Sequence, residues 1–456
     1  MNFTRSTAID ATAEELFAWH ASPGAFERLS PPWNPPVVLD RRGTGLEVGL
    51  RLTVKIAPSP VPWVTEHTAC TPPSGFVDEL VSGPLASWRH EHRFEDGRLT
   101  DAITFEPALG LGGGLITRQL AAAFAFRHAR TALDLHRHRP YRDRPRLRVA
   151  ITGASGLLGT ELAGFLRTGG HEVLALSRAG AVRWDPERGE IDAAALEGVD
   201  AVVHLAGESI SSRWTDERRQ RILASRVEGT RLLARALAGL SRKPSVVLSG
   251  SAVGYYGDRG DELLDEGATS GSGFLAEVCR AWEQAAEPIG ALGIRCVTLR
   301  TGLVLSGRGG LLASLLPLAK AGASGPIGGG QQWQPWIAID DWVGAAHALL
   351  WDERASGPVN LVGPMPARQA DLARSIGATL GRPAFVPTPA FAVRLALGRA
   401  MADELVLAGQ RAVPRALERL GFSFAHPTLD RALRFELGHL TDAEAGTAGS
   451  EPDPTR

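Results

Sequence analysis

The chain has 456 residues, of which 44% are hydrophobic, and its 49 basic and 50 acidic residues give a formal net charge of -1. This length suits about three domains, and the composition excludes a disordered chain. A balanced charge creates no global field toward nucleic acid or an anionic membrane, so we expect neither as a partner.

Cysteine usage and the amino terminus indicate the compartment. Cys70, Cys279 and Cys296 are too few and too widely spaced for a disulfide framework or a zinc motif. The amino terminus has no apolar core of the signal-peptide type, and no apolar run approaches the roughly 18 residues of a membrane span. We therefore expect a cytoplasmic protein.

Short alternating segments dominate residues 1–140. In SWRHEHRF, the alternation of residues 87–94 places one set of side chains on a single strand face: Trp88, His90, His92 and Phe94. A Gly-rich stretch then leads into one long helix that ends near His138. We predict an α+β domain with a curved antiparallel sheet and a C-terminal helix.

Two histidines on that strand face could ligate a metal ion. However, no third His, Cys or carboxylate lies near His90 and His92 in the sequence to complete a ligand set. We expect these histidines to line a cavity or to be hydrogen-bonded, and we predict no metal site.

Strand and helix patterns alternate after a linker at residues 141–146. Apolar runs separated by helices predict an α/β Rossmann domain, a doubly wound parallel sheet, over residues 147–385. A Pro-rich joint precedes a small helical C-terminal domain at residues 386–440. The tail 441–456 has a disordered composition.

A glycine turn directly follows the first strand of the second domain. Gly153 permits a tight turn, Gly156 lets the backbone approach a diphosphate, and Gly159 lets the helix pack closely on the strand. We expect the turn residues Ser155 and Leu157 to join this cofactor site. The alternative is a turn with only a packing role.

The ends of the next two strands supply further candidates for cofactor binding. Ser177 and Arg178 stand where an NAD site places an acidic residue, and a guanidinium there suits a 2'-phosphate, so we favour NADP over NAD. The alternative is a solvated surface arginine. Another strand ends in four candidate contacts for the cofactor: Leu205, Ala206, Gly207 and Glu208.

Several ordered motifs together carry a family resemblance. They are TGASGLLG, HLAGESI (204–210), LSGSAVGYYG (248–257), LRTGLVLS (299–306) and QPWIAIDD (334–341). Over residues 147–440 the chain resembles an atypical extended short-chain dehydrogenase/reductase of the sugar-nucleotide epimerase-like type, including its C-terminal domain of unknown function. Residues 1–138 resemble the START-like (SRPBCC) helix-grip family, which implies a cavity for an apolar ligand.

The resemblance implies a catalytic tyrosine with a lysine four residues later, and this pair is missing. The helix GFLAEVCRAWE places Phe274 near the tyrosine position and Val278 or Cys279 near the lysine position. The asparagine expected after the fourth strand is Arg226. Ser251 matches the superfamily serine, and two candidate proton donors follow it: Tyr255 and Tyr256. The alternative is that Ser251 caps a turn and both tyrosines only pack.

Three functions follow from these residues. The leading one is an NADP(H)-binding epimerase or reductase that acts on a small-molecule substrate and carries an apolar-ligand domain. The second is a cofactor-binding scaffold or redox sensor without turnover, indicated by the missing lysine. The third is a lipid or polyketide carrier with a structural Rossmann part. The substrate, the direction of reaction and the oligomeric state stay open.

Overall fold

The first seven strands pair into one antiparallel sheet. A computed structural model, which describes residues 1–110 and 112–447, gives their bounds. They are β1 (Asn2–Ala8), β2 (Val37–Arg42), β3 (Arg51–Lys55), β4 (Trp63–Thr71), β5 (Gly75–Ser82), β6 (Leu85–Glu95) and β7 (Arg98–Pro107). The order in the sheet is β1-β7-β6-β5-β4-β3-β2.

Three helices accompany this sheet: α1 (Ala13–Ala21), α2 (Ala25–Leu29) and α3 (Gly113–His138). The long helix α3 buries Phe124 against Ile103 and Phe105 of β7, and Ala132 lies in a second cluster with Phe94. These contacts confirm the predicted α+β arrangement of a sheet and a C-terminal helix. The strand face predicted for β6 also holds, since His90, His92 and Phe94 are buried there.

The second sheet has eight strands and is parallel apart from one edge strand. Its strands are β8 (Arg148–Thr152), β9 (Glu172–Ser177), β10 (Val182–Asp185), β11 (Glu190–Ile191), β12 (Ala201–His204), β13 (Val246–Ala252), β15 (Arg295–Thr301) and β19 (Gly357–Leu361). Their order is β11-β10-β9-β8-β12-β13-β15-β19, and only β11 pairs antiparallel. This arrangement confirms the predicted doubly wound sheet.

The direction in which the chain builds this sheet reverses between β8 and β12. In open α/β sheets, ligands bind at the carboxyl ends of the strands on either side of such a reversal. Side chains of β8 and β12 are buried on both faces, because helices cover a parallel sheet on both sides. The reversal therefore marks where a nucleotide cleft is expected.

Shorter strands and the remaining helices complete the described chain. The strands are β14 (Leu263–Leu264), β16 (Leu303–Leu305), β17 (Trp333–Gln334), β18 (Trp336–Ala338), β20 (Ala367–Arg368) and β21 (Arg411–Ala412). The helices are α4 (Leu157–Thr168), α5 (Asp216–Ala238), α6 (Phe274–Ala291), α7 (Gly310–Lys320), α8 (Ile339–Trp351), α9 (Gln369–Leu380), α10 (Ala390–Leu397), α11 (Arg399–Met401), α12 (Arg415–Leu420), α13 (Leu429–Leu437) and α14 (Asp442–Thr447). None of these described helices has the length and apolarity that a bilayer crossing requires.

The chain divides into two compact units. One comprises Met1–Pro145, Gly164–Gly170 and the carboxyl-terminal residues from Arg434, and the other comprises Arg146–Ala163 and His171–Leu433. The helices expected at residues 386–440 as a separate domain belong to the second unit up to Leu433.

Part of the segment 441–456, which we expected to be disordered, is helical. Thr441 and Glu444 cap the start of α14 reciprocally, at 3.2 Å and 3.0 Å between backbone nitrogens and side-chain oxygens. The Glu444 carboxylate also pairs with Arg434. These local bonds account for the ordered turn, and the rest of the expected tail, residues 448–456, lies outside the described residues.

Candidate functional site

The glycine turn after β8 has little room for side chains. Gly153 has a φ of +73°, and a Cβ there would lie 2.9 Å from the Ala206 nitrogen. A Cβ at Gly159 would lie 2.3 Å from the Gly153 carbonyl oxygen. Gly153 has a left-handed backbone conformation that other residues rarely adopt. At Gly159, α4 lies too close to the turn for a side chain. Both positions therefore require glycine.

The tip of the same turn is open to solvent. Ser155 and Gly156 are exposed, and α4 begins directly afterwards at Leu157. The first amides of a helix have no partner within the helix, and the helix dipole favours negative charge at that end. An exposed turn of small residues that leads into a helix amino terminus fits a diphosphate.

The end of β9 carries exposed positive charge. The side chain of Arg178 is 66% exposed and lies 3.5 Å from Glu187, whose side chain is 74% exposed. An ion pair this exposed contributes little energy, so the guanidinium is free to turn toward another anion. Arg183 on β10 lies directly opposite Ser177 at the end of β9. It adds a second guanidinium, which donates to the Arg178 carbonyl.

The residues after β12 lie beside the glycine turn. The Ala206 amide donates to the Thr152 hydroxyl at 3.2 Å, and a Cβ on Gly153 would touch the backbone of Leu205 and Ala206. The predicted cofactor contacts of this strand end thus share one edge of the sheet with the turn: Leu205, Ala206, Gly207 and Glu208. The Glu208 carboxylate lies 2.7 Å from Arg218 Nη1, so it is already paired.

Arg226, which stands where the resemblance implies an asparagine, contacts the backbone after β12. Its Nη1 donates to the Glu208 carbonyl at 3.0 Å, and its guanidinium carbon lies 5.0 Å from the Trp282 ring. Burial lowers the pKa of this guanidinium. Arg226 therefore holds the backbone after β12 in place rather than offering an amide to a substrate.

Ser251 belongs to a polar network that the sequence did not reveal. Its hydroxyl donates to Glu283 Oε1 at 2.7 Å, and Arg300 donates to both oxygens of the same carboxylate at 2.9 Å. The side chains of Ser251 and Arg300 are buried. Glu283 on α6 is the missed residue, because nothing in its local sequence indicates that it faces the end of β13.

The two tyrosines have different environments. Tyr256 is fully buried, its hydroxyl donates to Asn360 Oδ1 at 2.7 Å, and it accepts from Arg300 Nη1 at 3.1 Å. Burial raises the pKa of this phenol even though Arg300 opposes the shift. A phenol with both its donor and acceptor roles filled inside the protein supports the packing role that we considered, not proton donation. Tyr255 is partly exposed, and its ring lies 3.6 Å from the Arg300 guanidinium carbon.

An apolar cluster occupies the place where the family tyrosine and lysine are expected. Phe274 and Val278 on α6 are buried with Ile222 of α5, and Trp214 packs edge-on against Phe274. Burial raises the pKa of the adjacent Cys279 thiol to about 11, so a reactive thiolate is not available there. Neither a tyrosine–lysine pair nor a thiolate can supply acid–base chemistry from this part of α6.

The first unit contains a cavity of about 750 Å³ lined by residues of its sheet and helices. Apolar and aromatic side chains form much of the wall, among them Leu50, Trp63, Phe76, Trp88 and Phe124. Polar and charged side chains also line it, among them His20, His67, Asp78, His90, His92 and Arg127. A largely apolar wall interrupted by polar groups is typical of a small-molecule pocket.

Our reason for expecting no metal ligand set at His90 and His92 was wrong. Asp78 on β5, directly opposite His90, brings a carboxylate within 3.1 Å of that ring. Burial alone would lower the pKa of His90, but Asp78 and Asp101 outweigh burial and raise it to about 9. The missing third group therefore comes from a neighbouring strand, 12 positions earlier in the chain.

Comparisons with known proteins agree with both parts of the fold. The model of the NAD dependent epimerase/dehydratase family matches residues 149–362, and a Domain of unknown function (DUF1731) matches residues 388–436. The family called polyketide cyclase / dehydrase and lipid transport matches residues 9–133. An epimerase family protein of Mycobacterium bovis is 42% identical over 293 residues, which are 63% of this chain and 96% of that protein. The chain belongs to the epimerase family.

Two solved structures extend the comparison of this epimerase family protein. One, described as a nucleoside-diphosphate sugar epimerase from Corynebacterium glutamicum, is 35% identical with a TM-score of 0.81, covering 99% of this chain and 94% of that chain. The other, the human epimerase family protein SDR39U1 with NADPH, is 34% identical with a TM-score of 0.61 and covers 64% of this chain and all of that one. The expected family resemblance is thereby confirmed.

Proposed function

We propose that this epimerase family protein binds NADPH across the β8–β12 edge and uses it on a small-molecule substrate. The observation that carries the proposal is the glycine turn, which is open at Ser155 and Gly156 and leads into the amino terminus of α4. The human relative solved with NADPH supports this choice of cofactor. In this assignment the turn amides hold the diphosphate, and Arg178 faces the 2'-phosphate.

The cofactor preference is tested by titrating the full-length protein with NADPH and NADH. We expect Arg178→Glu to weaken NADPH binding roughly 10- to 100-fold and to spare NADH, because it removes charge-assisted hydrogen bonds to one phosphate. Arg188→Glu is the matched control, since its side chain is 69% exposed and its Nε lies 3.8 Å from Asp185 Oδ2. An unchanged preference in Arg178→Glu would refute the assignment of the 2'-phosphate.

The chemistry that we propose is hydride exchange between the nicotinamide and a carbonyl or alcohol carbon of the substrate. A bound nicotinamide would supply the hydride to a carbonyl carbon in its reduced form or take it from an alcohol carbon in its oxidised form, and the protein has to orient the substrate oxygen. Ser251, with its hydroxyl fixed by Glu283 at 2.7 Å, is the candidate for that orientation. Tyr255 is the partly exposed phenol of the pair and is therefore the better candidate for the proton.

Turnover is tested by following NADPH oxidation against a panel of aldehydes, ketones and nucleotide sugars. For an enzyme we expect Ser251→Ala to lower kcat by 10²-fold or more with little change in NADPH affinity. Cofactor binding with neither oxidation of NADPH nor epimerisation of any substrate would favour the scaffold or redox sensor. The apolar cluster at Phe274 and Val278 is the observation that favours this second function.

For the first unit we propose a small apolar ligand inside the cavity of about 750 Å³. Native mass spectrometry of the purified full-length protein tests this directly, because a retained compound adds its own mass. A retained lipid or polyketide together with no NADPH binding would favour a carrier in which the Rossmann part is structural.

A further inference from the structure

Three buried side chains and the partly buried Asp78 meet on one face of the first sheet. Asp78 on β5 stands directly opposite His90 on β6, and His92 stands directly opposite Asp101 on β7. Residues two apart on a strand share a face, and residues directly opposite on paired strands are neighbours. The pairing therefore gathers two imidazoles and two carboxylates in one place, and Asp78, His90 and His92 line the cavity.

Three of these groups bring possible ligand atoms close together. His90 Nδ1 lies 3.1 Å and His92 Nε2 lies 3.5 Å from the same oxygen, Oδ2 of Asp78, and all three ligand atoms lie within 4.8 Å of one another. Ligand atoms that stand about 2.0–2.2 Å from a tetrahedral ion are separated by about 3.3–3.6 Å. The two distances to Asp78 Oδ2 are close to this separation.

The second nitrogen of each ring faces Asp101. His90 Nε2 lies 2.8 Å and His92 Nδ1 lies 2.7 Å from Asp101 Oδ1, while the other oxygen of Asp101 is 2.6 Å from His128 Nε2. In metal sites the ligating histidine holds its other N–H on a carboxylate, which fixes the tautomer and the orientation of the ring. Asp101 does this for His90, whose Nε2 makes a hydrogen bond to Oδ1, whereas the contact of His92 Nδ1 with the same oxygen lacks hydrogen-bond geometry.

The remaining oxygen of Asp78 is also occupied. Trp88 Nε1 donates to Asp78 Oδ1 at 3.4 Å, which leaves Oδ2 directed at the two rings. His90 is 3% exposed and His92 is 7% exposed, so these side chains are held by packing rather than mobile at the surface. A preformed ligand set supported by a second layer of groups distinguishes this cluster from a chance grouping of surface residues.

We propose that the first unit binds one divalent transition-metal ion of the Zn²⁺ class through His90 Nδ1, His92 Nε2 and Asp78 Oδ2. Imidazole ligands favour this class over Mg²⁺ or Ca²⁺, which prefer oxygen ligands. Three protein ligands leave a fourth position open toward the cavity, as in catalytic rather than structural zinc sites. A cavity ligand with a carbonyl or carboxylate oxygen fits that position, and the site is independent of the nicotinamide cleft.

The experiment measures Zn²⁺ binding to full-length protein freed of metal with a chelator and then dialysed. Isothermal titration should give one Zn²⁺ per chain in the wild type. We expect His92→Gln and Asp78→Asn each to weaken binding by more than 100-fold, and Asp101→Asn by roughly 10- to 100-fold because Asp101 orients the His90 ring. His439→Gln is the matched control, since His439 lines the same cavity outside the cluster and should bind Zn²⁺ as the wild type does.

Two further readouts make each outcome decisive. NADPH titration and circular dichroism of each variant show whether the protein is folded. If a variant fails to fold, the absorption spectrum of wild-type protein loaded with Co²⁺ decides, because a low-coordinate site with imidazole ligands gives intense visible bands and hexaaqua Co²⁺ does not. The proposal is overturned by wild-type protein that binds no Zn²⁺, by binding that survives both ligand substitutions in folded protein, or by a Co²⁺ spectrum of the aqueous ion.

Discussion

Tyr256 shows how the surroundings of a single residue decide between a catalytic and a structural role. Its hydroxyl lies between Asn360 and Arg300 in a fully buried position. We expect Tyr256→Phe to lower the free energy of unfolding by about 1–3 kcal/mol, because two buried polar groups lose their shared partner. Urea unfolding of both proteins measures the difference.

Tyr255→Phe is the matched control for that measurement. It keeps the ring on which Arg300 stacks at 3.6 Å, so we expect a small effect on stability. The structural role of Tyr256 would be contradicted if Tyr256→Phe kept full stability and abolished NADPH oxidation. That result would instead make the buried phenol the proton donor.

Single residues also show where prediction from the sequence ends. Alternation along β6 was enough to place His90 and His92 on one buried face, because the period of a strand is two residues. Their carboxylate partners depend on the register between strands, and the loops that set this register leave no simple mark in the sequence. Asp78 and Asp101 were therefore missed, and so was Glu283, which meets Arg300 across 17 positions of the chain.

At the scale of secondary-structure elements, the turn between β8 and α4 leaves no room for a Cβ atom at Gly159. A Cβ on Gly159 would lie 2.3 Å from the Gly153 carbonyl oxygen and 2.7 Å from Ala154 Cα, both of which are backbone atoms. We expect Gly159→Ala to cost about 1–3 kcal/mol of unfolding free energy, since the helix has to move away from the turn. NADPH affinity should fall at least tenfold as the amides leave their positions.

Gly290→Ala in α6 is the control for this helix glycine. Nothing lies within 4 Å of a Cβ at Gly290, and alanine has the higher helix propensity, so stability should stay equal or rise by up to about 1 kcal/mol. Equilibrium unfolding and NADPH titration of both variants provide the comparison. Full NADPH affinity in Gly159→Ala would show that the close contact does not matter for binding.

Elements were easier to predict than contacts between them. Apolar runs separated by helical patterns specify a parallel sheet with helices on both sides, and the observed strand order confirms it. Beyond residue 386 the sequence indicated short helices in a separate small domain, whereas contacts group them with the second unit up to Leu433, and such contacts between residues distant in sequence are not visible in the local pattern. Capping by Thr441 and Glu444 gave α14 a helix where the composition indicated disorder.

At the scale of the whole molecule, buried neutral histidines in both units make the protein sensitive to acid. Burial lowers the pKa of His20 to about 3 and the pKa values of His171 and His204 to about 4. In the unfolded chain these groups titrate near pH 6.5. Below pH 6.5 these histidines bind protons in the unfolded state but not in the folded state. The free energy of unfolding therefore decreases as the pH is lowered, until the pKa of the folded state is reached.

His204 isolates the contribution of one group to this acid sensitivity. Its Nδ1 lies 2.7 Å from the Thr152 hydroxyl and its Nε2 lies 3.1 Å from the Thr230 hydroxyl, so the neutral ring is satisfied inside the second sheet. Between about pH 6 and pH 4, the wild type should lose up to about 1.4 kcal/mol of unfolding free energy per pH unit from this residue. His204→Gln cannot gain a proton, so its stability should fall less steeply by that amount, although it starts from a lower value.

Urea unfolding of both proteins at half-unit pH steps measures the two slopes, and every other titrating group is common to both. Parallel curves would mean that His204 carries the same protonation in the folded and unfolded chains.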